Sequence, residues 1–307
     1  MSVKKLASRQ SPCLGAHLSI TGGLHRALLA ALRLGCTTVQ VFVKNQRQWV
    51  APALRPADVA RWHEVRAENA FGPLVAHASY LVNLATPHRK LRQRSVSAFV
   101  EELTRCDQLA VSYLVVHPGA ATDGSITRGL ARVAAALNEV FRRYPDCRTM
   151  PLLETTAGQG RSLGRSFAEL AEILSRLEQP QRVGVCVDTC HVFAAGYDLR
   201  TRRGYDALVG EATRLVGQER IRVWHLNDCL GTCGSRLDRH AHIGAGTLGR
   251  VAFARLLHDA RFRGLPMILE TPKGTDERGR DWDAVNLARL RRLADRRSDD
   301  DNDLAGG

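Results

Sequence analysis

VGVCVDTCH, residues 183–191, decides the fold: an apolar run that stops on an acid, Asp188, with His191 one helical turn further on. The apolar part is short and rich in valine, without clean alternation of polar and apolar residues. Such a run reads as a strand buried on both faces of a parallel sheet. Other runs end in the same way. LVAHAS reaches His77, YLVVHPG reaches His117, MPLLET reaches Glu154, IRVWHLND reaches His225 and PMILETP reaches Glu270. Asp238 and His240 follow in the Gly-rich stretch CLGTCGSRLDRHAHIGAG.

Working outward, the strand-like segments are 13–19, 37–43, 74–79, 113–117, 150–154, 184–188, 222–226 and 267–270. Amphipathic stretches with apolar residues near i, i+3, i+4 and i+7 follow them. They run from GGLHRALLAALRLG after the first strand to WDAVNLARLRRLADRR after the last. Eight strands alternating with eight helices predict an α/β fold, a single-domain TIM (βα)8 barrel, ahead of an open doubly wound sheet. The length, 307 residues, suits that reading, since such barrels take about 250. No strand is followed by a dinucleotide fingerprint or a P-loop. The boundaries read as an N-terminal extension over 1–12, the barrel over 13–296 and an acidic, disordered tail over 297–307.

In such a barrel the C-terminal strand ends converge on one mouth. Any one of these histidines alone reads more readily as a satisfied core or surface residue. The weight lies in the recurrence, because burying Glu154, Asp188 and Glu270 uncompensated is costly and cations remove that cost. Imidazoles and carboxylates together are ligands for borderline-hard divalent ions, zinc first. Two or three such ions close together are suited to cleaving phosphoesters. His17, at the end of the first strand, faces the same mouth as an outer-shell donor or a phosphate contact.

Lysine and arginine outnumber the acids 44 to 31, a net charge of +13. That excess points to a polyanionic partner, most often nucleic acid. No apolar run reaches the roughly 18 residues of a membrane span. The basic start, MSVKKLASRQSPC, lacks a following apolar region, so no signal peptide and a cytoplasmic location are expected. The eight cysteines, at 13, 36, 106, 147, 186, 190, 229 and 233, read as reduced and structural.

GAHLSITGGL, KNQRQW, HASYLVNL, VVHPG, LLETTAGQG, VCVDTCHVFAAGYD, HLND, GSRLDRHAHIGAGTLG and LETP occur in this order. Together, over roughly residues 13–295, they resemble the endonuclease IV family of zinc-dependent apurinic/apyrimidinic endonucleases. VDTCHVFAAGYD and DRHAHIG are the most specific pieces. The resemblance implies three Zn2+ ions per chain. One is held by His77, His117 and Glu154, and a second by Glu154, Asp188, His225 and Glu270, with Glu154 bridging. The third is held by His191, Asp238 and His240. Glu154 thereby also positions the attacking water.

The implied reaction is base-excision repair: hydrolysis of double-stranded DNA 5′ to abasic sites, leaving 3′-hydroxyl and 5′-deoxyribose phosphate ends. Removal of 3′-blocking groups follows from the same chemistry. A nucleoid-associated monomer is expected. Flipping costs least where no base stacks or pairs. Arg47, Gln48, Tyr80 and Leu81, on the loops after strands two and three, have shapes that fill the gap or wedge the stack. The runner-up is a sugar isomerase or epimerase on the same barrel, and a third class is a catalytically silent DNA-binding barrel. The third ligand set and the basic excess argue against the sugar enzyme, and the intact ligand set against the silent one.

Overall fold

The parallel strands close into a ring. In chain order the elements are β1 (Leu14–Ala16), α1 (Leu24–Arg33), β2 (Gln40–Val41), α2 (Pro56–Ala67), β3 (Val75–His77), α3 (Arg89–Gln108), β4 (Tyr113–Val116), α4 (Ile126–Arg143) and β5 (Met150–Glu154). They continue with α5 (Phe167–Ser175), β6 (Gly184–Asp188), α6 (Thr189–Ala195), α7 (Arg202–Leu215), β7 (Ile221–His225), β8 (Asp228–Cys229), β9 (His240–Ala241), α8 (Arg250–His258), β10 (Met267–Leu269) and α9 (Trp282–Asp295). This is a computed structural model, and it describes residues 12–296. The expected tail over 297–307 and nearly all of the expected extension over 1–12 lie outside the described residues.

Eight strands pair in the order β1, β10, β7, β6, β5, β4, β3, β2, each pair parallel. The ring shuts where β2 returns to β1, through a bridge between His17 and Gln40. There Leu18 N donates to Gln40 O at 2.8 Å and Thr37 N to Leu14 O at 2.9 Å. Gly15 makes the seam possible, because a Cβ on it would collide with the Thr38 carbonyl. The result is a single-domain TIM barrel, as the alternating pattern predicts, and not an open sheet.

Inside the ring, Val75, Val115, Leu152, Cys186, Val223 and Ile268 pack together, one from each of six strands. The apolar helix faces pack on the outside of the ring. α4 shows the local logic. Ser125 caps it by accepting from Arg128 N at 3.4 Å, and Leu130, Val133, Leu137 and Val140 form its buried stripe. Ser166 and Thr201 cap α5 and α7 in the same manner.

Three details differ from the sequence reading. The seam strands are shorter than 13–19 and 37–43: the regular ladder covers only Leu14–Ala16 and Gln40–Val41, and single bonds such as Thr37 N to Leu14 O and Leu18 N to Gln40 O hold the residues beside it. TCHVFAA forms its own helix, α6, capped by Asp188 and stopped by Gly196 at φ 119°. His240 does not sit in a plain loop: β8 and β9 form a small antiparallel hairpin, in which His240 opens β9 and Asp238 lies in the connecting loop just before it.

Candidate metal centre

The strand ends deliver the expected side chains to one place. His77, Glu154, Asp188 and His225 are the last residues of β3, β5, β6 and β7, and His117 and Glu270 lie one position past β4 and β10. His191 comes from the first turn of α6, aimed by the cap in which its amide donates to Asp188 Oδ1 at 2.9 Å. Glu154, Asp188 and His225 are fully buried, and His77 and His191 nearly so.

Their ligand atoms fall into three groups, each within 4.8 Å: His77, His117 and Glu154; Glu154, Asp188, His225 and Glu270; and His191, Asp238 and His240. Glu154 belongs to two of them. Its Oε2 lies 3.1 Å from His77 Nε2 and 2.9 Å from His117 Nε2, while its Oε1 lies 2.9 Å from His225 Nδ1. His225 Nδ1 is also 3.0 Å from Glu270 Oε2. Asp188 Oδ2 stands between the second and third groups, 3.9 Å from His225 Nδ1 and 3.7 Å from His240 Nε2. Asp238 Oδ1 is 3.2 Å from His191 Nε2 and 3.4 Å from His240 Nε2.

Cys186 also falls within ligand range of Glu154 and His225, and Cys190 within range of Asp188 and His240. Burial pushes the Cys186 thiol up to about 12. Cys190, hydrogen-bonded with Cys229 and buried, is likewise pushed up. Protonated thiols in those positions act as small apolar groups. All eight cysteines are free.

Backbone carbonyls assign the protons on the ring nitrogens. A carbonyl only accepts, so a ring nitrogen beside one carries hydrogen. His77 Nδ1 donates to Ala78 O at 2.8 Å, His191 Nδ1 to Thr155 O at 2.8 Å, and His240 Nδ1 to Glu270 O at 3.2 Å. Each therefore turns an Nε2 lone pair toward the carboxylates. The Nε2 atoms of His191 and His240 are buried and have no hydrogen-bond partner. Orphaned acceptors of this kind, oriented by outer carbonyls and facing acids, fit a bound divalent cation.

The electrostatics agree. Burial works against the charged forms, yet Asp188, Asp238 and Glu154 hold the His191 pKa well above its ordinary value, so positive charge is favoured at that ring, a proton or a metal ion in the proton's place. Against the same burial, His117, His225 and His191 hold Glu154 well below the carboxylate range. Burial is outweighed at Glu270 too, by His225 and His17. A set of buried acids kept ionised beside histidines is a cation-binding set.

Around this centre lies a cavity of about 700 Å³, lined by His17, Phe42, Arg47, Tyr80, Glu270 and Lys273 among others. Tyr80 is 67% exposed and stands edge-on to Phe42 at 5.5 Å between ring centroids. Tyr80 also borders a second hollow of about 210 Å³ beside His77 and His117. Of the expected wedge residues, Arg47 and Tyr80 thus line the mouth. Gln48 is exposed and Leu81 half-buried on the same loops, and neither lines these hollows.

Several polar residues of the centre were not singled out by the sequence. Gln159 Oε1 accepts from Asp238 N at 3.0 Å. Asn227 joins two elements, donating to Asp188 Oδ2 at 2.6 Å and accepting from Glu270 N at 2.9 Å. Gln40, fully buried on β2, reaches His17, His225 and Glu270. Its signal was a long polar side chain inside the apolar run TTVQVFV.

A parallel barrel with histidines and acids at its strand ends defines the class, the xylose isomerase-like TIM barrels, whose family profile matches residues 28–293. Within that class the relatives are specific. A probable endonuclease 4 of Chloroflexus aurantiacus is 47% identical over 282 residues, 92% of this chain and 98% of that protein. The crystal structure of endonuclease IV from Thermus thermophilus superposes with a TM-score of 0.81 at 37% identity, covering 92% of this chain and 98% of that one. The chain belongs to the endonuclease IV family, and that membership makes it a DNA-repair endonuclease. A D-tagatose 3-epimerase-like protein shares the barrel at a TM-score of 0.68 and 17% identity, covering 92% of this chain and 96% of that one, a likeness of fold alone.

Proposed function

We propose that this endonuclease uses three Zn2+ ions to hydrolyse the phosphodiester bond 5′ to abasic sites in double-stranded DNA. The products are a 3′-hydroxyl and a 5′-deoxyribose phosphate, and the same site trims 3′-blocking groups. The observation that carries the reading is the sharing of Glu154, one oxygen to each of two ligand groups, with the His191, Asp238 and His240 group alongside. Imidazole-rich sets suit zinc over magnesium. Ions held there would lower the pKa of water toward neutrality and offset the charge of the phosphate and leaving oxygen.

The chain's own residues supply the rest. Glu154 fixes the spacing of the first two groups. His77, His191 and His240 keep their lone pairs inward through the carbonyl contacts described above. Arg47 and Tyr80, at the rim of the large cavity, hold the gap left by the abasic nucleotide. Flipping such a nucleotide sacrifices no base stacking of its own, so part of the selectivity comes from the DNA. Catalysis by a monomer is part of the proposal.

The test is incision of a duplex bearing one abasic analogue against the intact duplex. Cleavage of the abasic strand alone, retained in dilute chelator that removes free Mg2+, is the expected result. Equal cleavage of both duplexes would sink the abasic specificity. Rapid loss of activity in the chelator, restored by Mg2+ alone, would sink the zinc assignment.

A further inference from the structure

Gln40 sits at the seam where the barrel closes, and its side chain is fully buried between three residues of the mouth. Nε2 lies 2.6 Å from Glu270 Oε1 and 3.0 Å from His17 Nδ1. Oε1 lies 2.8 Å from His225 Nε2. An ionised carboxylate cannot donate, so the amide atom facing Glu270 must be the nitrogen. The oxygen is then forced to face His225, and a ring nitrogen opposite a carbonyl oxygen must carry hydrogen. His225 is therefore an Nε2–H tautomer, and its lone pair lies on Nδ1. That is the atom 2.9 Å from Glu154 Oε1 and 3.0 Å from Glu270 Oε2. His225 thus has the tautomer opposite to that of His77, His191 and His240, which face the centre through Nε2.

The second amide hydrogen settles His17. One hydrogen of Nε2 goes to Glu270 and the other points at His17 Nδ1, which must accept it. If His17 Nδ1 carried a hydrogen, it would compete for Glu270 Oε1, 3.2 Å away, and leave the buried amide hydrogen without an acceptor. His17 is then Nε2–H. That nitrogen is buried without a partner, on a residue lining the large cavity.

We propose that Gln40 is the positioning residue of this centre, fixing both tautomers at once: His225 offers Nδ1 to a metal ion, and His17 offers Nε2–H to a phosphodiester oxygen. One side chain at the seam of the barrel thereby sets a ligand and a substrate donor. The half concerning His17 rests on the proposed cleavage of DNA, whereas the half concerning His225 needs only a bound cation.

The experiment reads tautomers directly, by long-range proton–nitrogen NMR of histidine side chains in the zinc-loaded full-length protein. The wild type should show His225 and His17 as Nε2–H. Gln40→Met, which keeps the length and removes all three contacts, should release both rings, and His17 should turn to donate Nδ1–H to Glu270. Zinc should bind about 10–100-fold more weakly, the usual effect of losing an outer partner. Gln40→Glu keeps an acceptor for His225, and its other oxygen can only share a proton with Glu270, leaving none for His17, so it should spare the His225 tautomer and switch that of His17. A generic packing role predicts no such split between the two variants. An Nδ1–H tautomer at either ring in the wild type overturns the proposal whether or not the variants fold. So does unchanged zinc affinity in a folded Gln40→Met protein. Failure to cut abasic DNA would instead remove the proposed function and with it the phosphodiester contact of His17, and leave the two tautomers and the His225 half standing.

Discussion

Glu154→Gln isolates the bridge. The substitution keeps the shape and one oxygen, and it replaces the other oxygen with a nitrogen that has no free lone pair. In the structure Oε2 serves the group of His77 and His117 at 3.1 and 2.9 Å, and Oε1 serves His225 at 2.9 Å. Whichever way the amide turns, one group loses its shared ligand. Zinc should therefore fall by at least one ion per chain. A metal that offsets phosphate charge is worth several kcal/mol in the transition state. About 4 kcal/mol corresponds to a rate roughly 10³-fold lower. Elemental analysis of purified protein and single-turnover incision of an abasic duplex measure the two effects, with circular dichroism confirming the barrel. A folded variant with full metal content and a rate within tenfold of wild type would refute the bridging role.

Two further experiments probe residues away from the bridge. Truncating Arg47 and Tyr80 to alanine should weaken binding to abasic duplex with metal content unchanged, each side chain contributing on the order of 1–3 kcal/mol. The loss should be smaller on a 3′-end substrate, and no loss on either would make both residues plain surface. Asp107 accepts from Thr149 N at 2.7 Å, Thr149 Oγ1 at 2.6 Å, Arg148 N at 3.0 Å and Tyr144 OH at 2.7 Å. Burial opposes its charge, but these donors hold its carboxyl below the ordinary value. Such a group stabilises the fold above the unfolded value near about 3.9, and that stability is lost as pH falls through the folded one. Asp107→Asn should thus cost about 1–3 kcal/mol at pH 7 and progressively less in acid, measured by urea denaturation across pH. A cost independent of pH would refute the charge argument.

The sequence carried the barrel because each buried strand is a local run, and six of the eight end on, or one residue before, a histidine or acid of ligand type. It carried the convergence of the histidines and acids because strand ends meet at one mouth in this fold, whereas their division into three groups rested on the family resemblance. It missed α6 as a separate helix, since seven residues hardly establish a period, and the β8–β9 hairpin, whose two-residue strands show no alternation. Gln40 is harder still. Its partners His225 and Glu270 lie 185 and 230 residues away, and only closure of the ring brings them to it. Nor can residue order reveal which ring nitrogen carries a hydrogen, because that depends on a carbonyl or amide a few ångströms off.

Asp188 divides its two oxygens between fold and centre: Oδ1 holds the amide of His191, and Oδ2 faces Asn227 and the neighbouring ligand groups. The first turn of α6 is therefore wired to whatever occupies the centre. Drawing electron density from one oxygen weakens the other as an acceptor, so the His191 amide is a built-in gauge of loading. Its exchange rate and chemical shift offer a way to follow filling of the site one residue at a time, even by an ion as spectroscopically silent as Zn2+.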